Sequence, residues 1–142
     1  MASLQQTQEQ RRAKAAWDCV HHEVKEKHDQ KWAGEYRALV RSAATDVLTN
    51  GLGQTLAFLL SKAKGKHDTP HGALYTHLSN WIANPYPDDA SAKPRFEQDK
   101  LLEWLIDPKQ GSDVYRQITV EVIAYLNWLK RFAEAELPEP KD

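Results

Sequence analysis

The chain has 142 residues, enough for one hydrophobic core and short for two. Hydrophobic residues make up 41% and charged residues 27%, an ordinary globular balance with no apolar run of about eighteen residues to span a bilayer. The formal net charge of −1 argues against tight nucleic-acid binding by the isolated chain, and a single cysteine, Cys19, excludes an intramolecular disulfide.

Residues 4–31 lack Gly and Pro, and Ala13, Ala16, Trp17, Val20 and Val24 recur at three- and four-residue steps, so one long amphipathic helix is expected there. Gly34 is expected to interrupt it. A second helix then presents Tyr36, Leu39, Val40, Ala43, Val47 and Leu48 inward. Asn50-Gly51 reads as a helix stop, because both residues tolerate the left-handed conformation that satisfies the last carbonyls. The third helix starts near Leu52, buries Leu52, Leu56, Leu59 and Ala63, and frays over 62–66. The glycines at 51 and 53 let the backbone approach another helix or a ligand closely.

Thr69-Pro70 reads as an N-cap followed by proline at the first helical position. The fourth helix carries Leu74, Leu78, Trp81 and Ile82 and stops at Asn84-Pro85. Residues 84–94 contain three prolines and form the long loop. A fifth helix over about 94–106 contributes Leu101, Leu102, Trp104, Leu105 and Ile106. After Asp107–Gly111, Ser112 caps a sixth helix reaching about Leu137, with Tyr115, Ile118, Val122, Tyr125, Leu126, Leu129 and Phe132 on its apolar side. Pro138 and Pro140 end it, and residues 1–7 and 138–142 are expected to fray. No alternating β-branched run appears. The expectation is an all-α, single compact domain, 1–142, of about six helices. Trp17, Trp81, Trp104 and Trp128 fall on or beside apolar stripes, whereas Trp32 is expected at the surface.

The N-terminal stretch is polar and lacks a signal-peptide core, and the lone cysteine suits a reducing compartment. A cytoplasmic protein with no membrane partner is therefore expected. Catalytic constellations are weak. Cys19 lies beside Asp18 with no cationic pocket in view. Pro70 separates His67 from His71, and the adjacent His21 and His22 are expected to point to different helix faces and so not to chelate together readily. Asp88-Asp89 has no companion ligands, and phosphate-loop and dinucleotide fingerprints are absent. No catalytic residue, cofactor or metal is expected, and the chain reads as a non-enzyme.

The charge is unevenly spread. Residues 1–67 hold eleven Lys/Arg against seven Asp/Glu, and residues 68–142 hold eight against thirteen. Such polarity offers phosphates a cationic region and permits basic-to-acidic contact between identical copies. Arg11, Lys14, His21, Lys25 and His28 fall along one stripe of the first helix, interrupted by Asp18. Arg37 and Arg41 sit four apart on the second helix. Lys62, Lys64 and Lys66 cluster where the third helix ends. Arg116 and Lys130 share a side of the sixth helix, about 21 Å apart, with Arg131 adjoining. The glycine corner is expected to gather the arginine pair and the lysine cluster into one region. A spread of cations without a compact pocket suits tracking a phosphate backbone rather than reading bases.

Four segments in order carry a family resemblance. They are 12–20 (RAKAAWDCV), 35–40 (EYRALV), the corner 50–58 (NGLGQTLAF), and 115–119 with 128–134 (YRQIT, WLKRFAE) on the last helix. Over nearly its whole length the chain resembles the small α-helical subunit of the type III-B CRISPR RNA-guided effector, the Cmr complex of antiviral defence. The resemblance implies a non-catalytic, RNA-binding subunit. Several copies would stack head to tail beside the backbone subunits that carry the guide RNA, with target cleavage belonging to those subunits. The implied partners are guide and target RNA, bound weakly by the chain alone, other subunits of the complex, and copies of itself.

RNA contact is assigned to Lys14, Arg37, Arg41, Lys62, Lys64, Lys66, Arg116, Lys130 and Arg131. Of these, Arg37, Arg116, Lys130 and Arg131 lie within matching segments, while the 62–66 lysines rest on local chemistry. The acidic surface around Asp88, Asp89 and Glu97 would meet the next copy. The competing reading is a helical interaction or scaffold subunit that never touches nucleic acid.

Overall fold

A computed structural model describes residues 7–84, 89, 91 and 93–140. Helix α1 (Gln8–Trp17) runs without a break into a wider π-helical segment, Asp18–Lys25. It is followed by α2 (Gln30–Asn50), α3 (Leu52–Ala63), α4 (Pro70–Ala83), the short α5 (Leu101–Ile106) and α6 (Ser112–Glu136). The domain is all-α, and no strand occurs among the described residues.

The start of α1 is fixed by a reciprocal cap: Thr7 Oγ1 accepts from the Gln10 backbone N–H at 3.1 Å, and Gln10 Oε1 accepts from the Thr7 N–H at 2.8 Å. The long helix expected over 4–31 is divided. Helical bonding changes to the i→i+5 pattern, with Glu26 N–H on the His21 carbonyl at 3.2 Å. The chain then turns, and Asp29 caps α2 by accepting from the Trp32 N–H at 2.8 Å. The break therefore falls before Asp29, and Gly34 lies buried inside α2 rather than between helices.

What Gly34 supplies is room. A Cβ there would stand 3.0 Å from both the Glu139 carbonyl oxygen and the Pro140 Cα, so the tail after α6 lies directly on α2. Trp32, expected at the surface, is half-buried: the His28 ring stacks on it at 3.6 Å, and its Nε1–H donates to the Asp68 carbonyl at 2.6 Å.

Helices α3 and α4 form as their sequence predicts. Leu52, Leu56, Leu59 and Ala63 are buried on α3, and Leu74, Leu78, Trp81 and Ile82 on α4. Thr69 Oγ1 accepts from the Gly72 N–H at 3.0 Å with Pro70 at the first helical position. The fifth helix is shorter than expected. The chain from Arg95 to Lys100 is bound to α4 instead, with Arg95 Nη1 donating to the Ile82 carbonyl at 2.6 Å and its backbone N–H to the Ala83 carbonyl at 2.8 Å. These satisfy carbonyls that α4 leaves open at its end. Asp99 takes a positive φ of 65°, and α5 begins only once Ser79 Oγ and the Tyr75 hydroxyl can accept from the N–H groups of Leu101 and Leu102.

Helix α6 packs on α1, the π segment, α2 and α4, with Ile118, Val122, Tyr125, Leu126, Leu129 and Ala133 buried. Tyr36, Tyr125 and the surrounding leucines make the centre of the core. Two residues expected inside are outside: Leu48 is 73% exposed and Ile106 63%.

The corner between α2 and α3 consists of Gly51 alone, at φ 89° and ψ 156°. Side-chain-bearing residues essentially never occupy that region. Glycine offers no side chain to cap α3, and the Tyr115 hydroxyl from α6 substitutes, accepting from the Gly53 N–H at 2.8 Å. A Cβ on Gly53 would stand 3.0 Å from that hydroxyl, so the close approach inferred for this corner is to α6. Tyr115→Phe is expected to lower stability by about 1 kcal/mol, the worth of a helix cap. Urea denaturation measures this, and an unchanged midpoint would mean that water replaces the phenol at no cost.

Candidate nucleic-acid interface

The nine basic residues singled out by sequence fall into three situations. Four are held by acids. Lys14 Nζ meets Asp18 at 2.8 Å, Arg116 meets Asp113 at 2.7 Å and Arg131 meets Glu134 at 3.6 Å, all with exposed cations. Arg37 is more deeply held: only 13% of its side chain is exposed, and its guanidinium donates to Glu139 at 2.9 Å and to the Leu137 carbonyl at 3.3 Å. It fastens the C-terminal tail to α2, one turn beyond Gly34. Two more members of the first-helix stripe are similarly occupied, because His21 Nδ1 and Lys25 Nζ reach the same Glu136 oxygen at 2.7 and 3.2 Å. The hydrogen bonds from His21 and then Lys25 hold the Glu136 carboxyl below its ordinary range.

Lys130 is half-buried beside Arg131, in a groove of about 430 Å³ that also involves Glu9 and Trp128. Arg41, Lys62, Lys64 and Lys66 are exposed, and among the described residues none of the four is in an ion pair. The lysines gather where α3 ends and the chain turns into α4. Lys64 is the left-handed C-cap at φ 52°, Gly65 follows at φ 79°, and the Lys66 carbonyl accepts from Thr69 Oγ1 at 3.0 Å. Cations are favoured at a helix C-terminus whatever else they do.

Beside them stand two rings, Phe58, which sequence reasoning overlooked, and His71, which it weighed only as a metal ligand. Phe58 is 45% exposed and lies 5.8 Å under Lys62 Nζ, and His71 packs edge-on to Phe58 at 5.9 Å. Burial, and then the charge of Lys62, hold the His71 imidazole below its ordinary pKa. The signal was available: Phe58 and Lys62 are one helical turn apart, and the Thr69-Pro70 cap swings His71 toward α3. Arg41 lies on α2 roughly 14 Å before the glycine corner and Lys62 on α3 roughly 15 Å after it, taking 1.5 Å of rise per residue.

Several other polar groups are bonded inside the fold. Burial pushes the Cys19 thiol up to about 12, and its Sγ sits 3.3 Å from the Tyr125 hydroxyl, the opposite of an activated thiolate. Tyr36 Oη lies 2.7 Å from His77 Nδ1 in the core. Glu121 joins three helices: Arg12 reaches it at 2.6 and 2.8 Å, and the Trp81 indole N–H donates to it at 3.0 Å.

One reading of the histidines is corrected. His21 and His22 do not diverge, because the π segment carries more residues per turn than an α-helix and narrows the angle between neighbours. Their ring centroids are 5.0 Å apart.

Of the acidic surface expected to meet a second copy, Asp88 lies outside the described residues. Asp89 and Glu97 are exposed, and Asp89 Oδ1 accepts from the Ser91 hydroxyl at 2.6 Å. No helix among the described residues is long and apolar enough to cross a membrane.

Residues 8–136 match the family described as CRISPR-associated protein (Cas_Cmr5). The chain is 29% identical over 120 residues to the CRISPR system Cmr subunit Cmr5 of Thermus thermophilus, an alignment spanning 84% of this chain and 90% of that protein. It is also similar to the crystal structure of a CRISPR-associated Cmr5 family protein from the same organism. That similarity has a TM-score of 0.70 and 26% identity, and it covers 94% of this chain and all of the other. The match begins one residue after the Thr7 cap and ends with α6, so it takes in every helix described above. The chain belongs to the Cmr5 family of CRISPR-associated proteins.

Proposed function

We propose that this chain is a non-catalytic subunit of a Cmr RNA-guided effector complex in the cytoplasm. Copies of it stack beside the subunits that carry the guide, and Lys62, Lys64, Lys66 and Arg41 face the target RNA. The observation that carries the RNA reading is the α3–α4 turn. Three lysines without acidic partners among the described residues gather there, and one of them, Lys62, stands over an exposed Phe58 that packs against a half-buried His71. Cations that track phosphates beside a ring that accepts a base describe a sequence-tolerant single-strand surface. Lys14, Arg116, Lys130 and Arg131 are weaker contributors, since an RNA phosphate must first compete with Asp18, Asp113 or Glu134 for three of them. Arg37 serves through the tail it holds. A near-neutral monomer gains affinity only when several copies present this surface together.

The test is charge reversal of all four exposed cations (R41E, K62E, K64E and K66E) in the assembled, guide-loaded complex. Target-RNA capture at moderate salt is expected to fall at least about tenfold, with the log–log salt slope reduced by about 2 to 3. The thermal midpoint of the isolated chain should fall only slightly, because all four side chains are exposed and the cost is confined to glutamates set against the C-terminal dipole of α3. Unchanged capture and slope would reject the assignment.

A protein-only role is favoured by one specific observation, the exposed apolar side chains of Leu48, Ile106 and Val120. On that reading the four reversals leave capture intact, while Leu48→Asp or Val120→Asp prevents the chain from entering the complex.

A further inference from the structure

The π segment turns two adjacent histidines into a pair and sets a carboxylate across from them. His22 Nδ1 lies 2.8 Å from Glu26 Oε1, and His21 Nε2 lies 3.6 Å from the same oxygen. One ligand atom from each of His21, His22 and Glu26 falls within 4.8 Å of the other two, and no other such group of three occurs among the described residues. We propose that His21, His22 and Glu26 form a binding site for a divalent metal ion of the zinc class.

The chemistry of the donors fits. Two imidazole nitrogens and one carboxylate oxygen suit zinc at bonds of about 2.0–2.2 Å, which place neighbouring ligands about 3.3 Å apart in a tetrahedron. Two of the three edges, both to Glu26, are close to that length, and the His22 side chain, 53% exposed, can turn to shorten the third, between the two imidazoles. The His22 side chain is 53% exposed, so an ion reaches the site from solvent, and a water completes the coordination.

One imidazole has a carboxylate bonded to its other nitrogen, and the second has one nearby. His21 Nδ1 lies 2.7 Å from Glu136 Oε1, and His22 Nε2 lies 3.9 Å from Asp18 Oδ1. A metal-binding histidine characteristically gives its second N–H to a carboxylate, which fixes the tautomer and raises the basicity of the ligating nitrogen. The bond from His21 to Glu136 leaves Nε2 as the lone pair that faces Glu26. It also ties the site to α6, so an ion here would clasp the π segment to the last turn of that helix. Nothing in the proposal involves RNA, so it stands or falls apart from the interface at the α3–α4 turn.

The experiment titrates metal-free, tag-free full-length chain with zinc chloride in a calorimeter and follows thermal unfolding with and without zinc. One saturable equivalent and a raised midpoint are expected. His22→Ala and Glu26→Gln, both at exposed positions, should each weaken binding at least about tenfold and abolish the zinc-dependent shift, while the midpoint without zinc is unchanged. His67→Ala, which removes an exposed histidine elsewhere, should bind as the parent does. Absence of saturable binding would overturn the site, as would binding that His22→Ala and Glu26→Gln leave intact.

Discussion

Glu121→Ala is expected to destabilise the chain by about 3 kcal/mol and to lower its thermal midpoint by about 10 °C. This carboxylate on α6 is shared by α1 and α4. Arg12 grips it with two parallel bonds at 2.6 and 2.8 Å, and the indole N–H of Trp81, a residue only 4% exposed, donates to it at 3.0 Å. Only 18% of the Arg12 side chain and 21% of the Glu121 side chain meet solvent, so water replaces neither bond freely.

Removing the carboxylate leaves a guanidinium partly desolvated and an indole donor buried without a partner, and the second loss alone costs about 1–3 kcal/mol. Burial by itself would raise the Glu121 carboxyl, but the hydrogen bonds from Arg12 and Trp81 outweigh it and hold the group below its ordinary value. The Glu121 carboxylate correspondingly keeps the Arg12 guanidinium pKa raised. Because the folded value is depressed, this stability is present above the unfolded carboxyl range and is lost as pH falls through the folded one. Glu121→Gln keeps an acceptor for Trp81 and should fall between the parent and the alanine variant. Urea denaturation of the three proteins decides the matter, and a loss under about 1 kcal/mol for the alanine variant would show that the network is effectively solvated.

Mild acid is expected to weaken the fold through His77. The imidazole is buried in the core with Tyr36 Oη 2.7 Å from Nδ1, and burial lowers its pKa to about 4. An unfolded histidine titrates near 6.5, so between those values the unfolded chain takes up a proton that the folded chain refuses. Stability is therefore greatest above about pH 6.5, and it drops by about 2 kcal/mol at pH 5 and by about 3 kcal/mol at pH 4. His71 is shifted in the same direction, but it lies at the half-exposed edge of α4 and contributes less. Depressed carboxylates such as Glu121 act mainly below this window. His77→Gln retains an acceptor for Tyr36 while removing the titration. Its stability between pH 6.5 and 5 should therefore be flatter than the parent's. Parallel curves would show that His77 is not the proton acceptor.

These effects hinge on residues whose partners lie far along the chain, and that distance decided what could be read in advance. Helices α3 and α4 were legible because their signals are local: a stripe at Leu52, Leu56 and Leu59, and a Thr69-Pro70 cap. The division after Lys25 was not. Gly34 looks like an interruption until Glu139 and Pro140, more than a hundred residues on, are seen lying against it. The true start of α2 was marked only by Asp29, one charged residue among several.

The cations divide between the two cases. Lys14 with Asp18, Arg116 with Asp113 and Arg131 with Glu134 are pairs three or four residues apart that helical spacing could have revealed. The Arg37–Glu139 pair had no local sign. Glu121 was hidden in plain view, between Ile118 and Val122 on the apolar side of α6, where an acid calls for a buried partner.

The single-residue joint at Gly51 also has a mechanical meaning. A connection of one residue, fixed at φ 89° and pinned from α6 by Tyr115, has no slack with which to hinge. Helices α2 and α3 therefore meet with no spare residue at their elbow, and the Tyr115 hydroxyl ties that elbow to the first turn of α6.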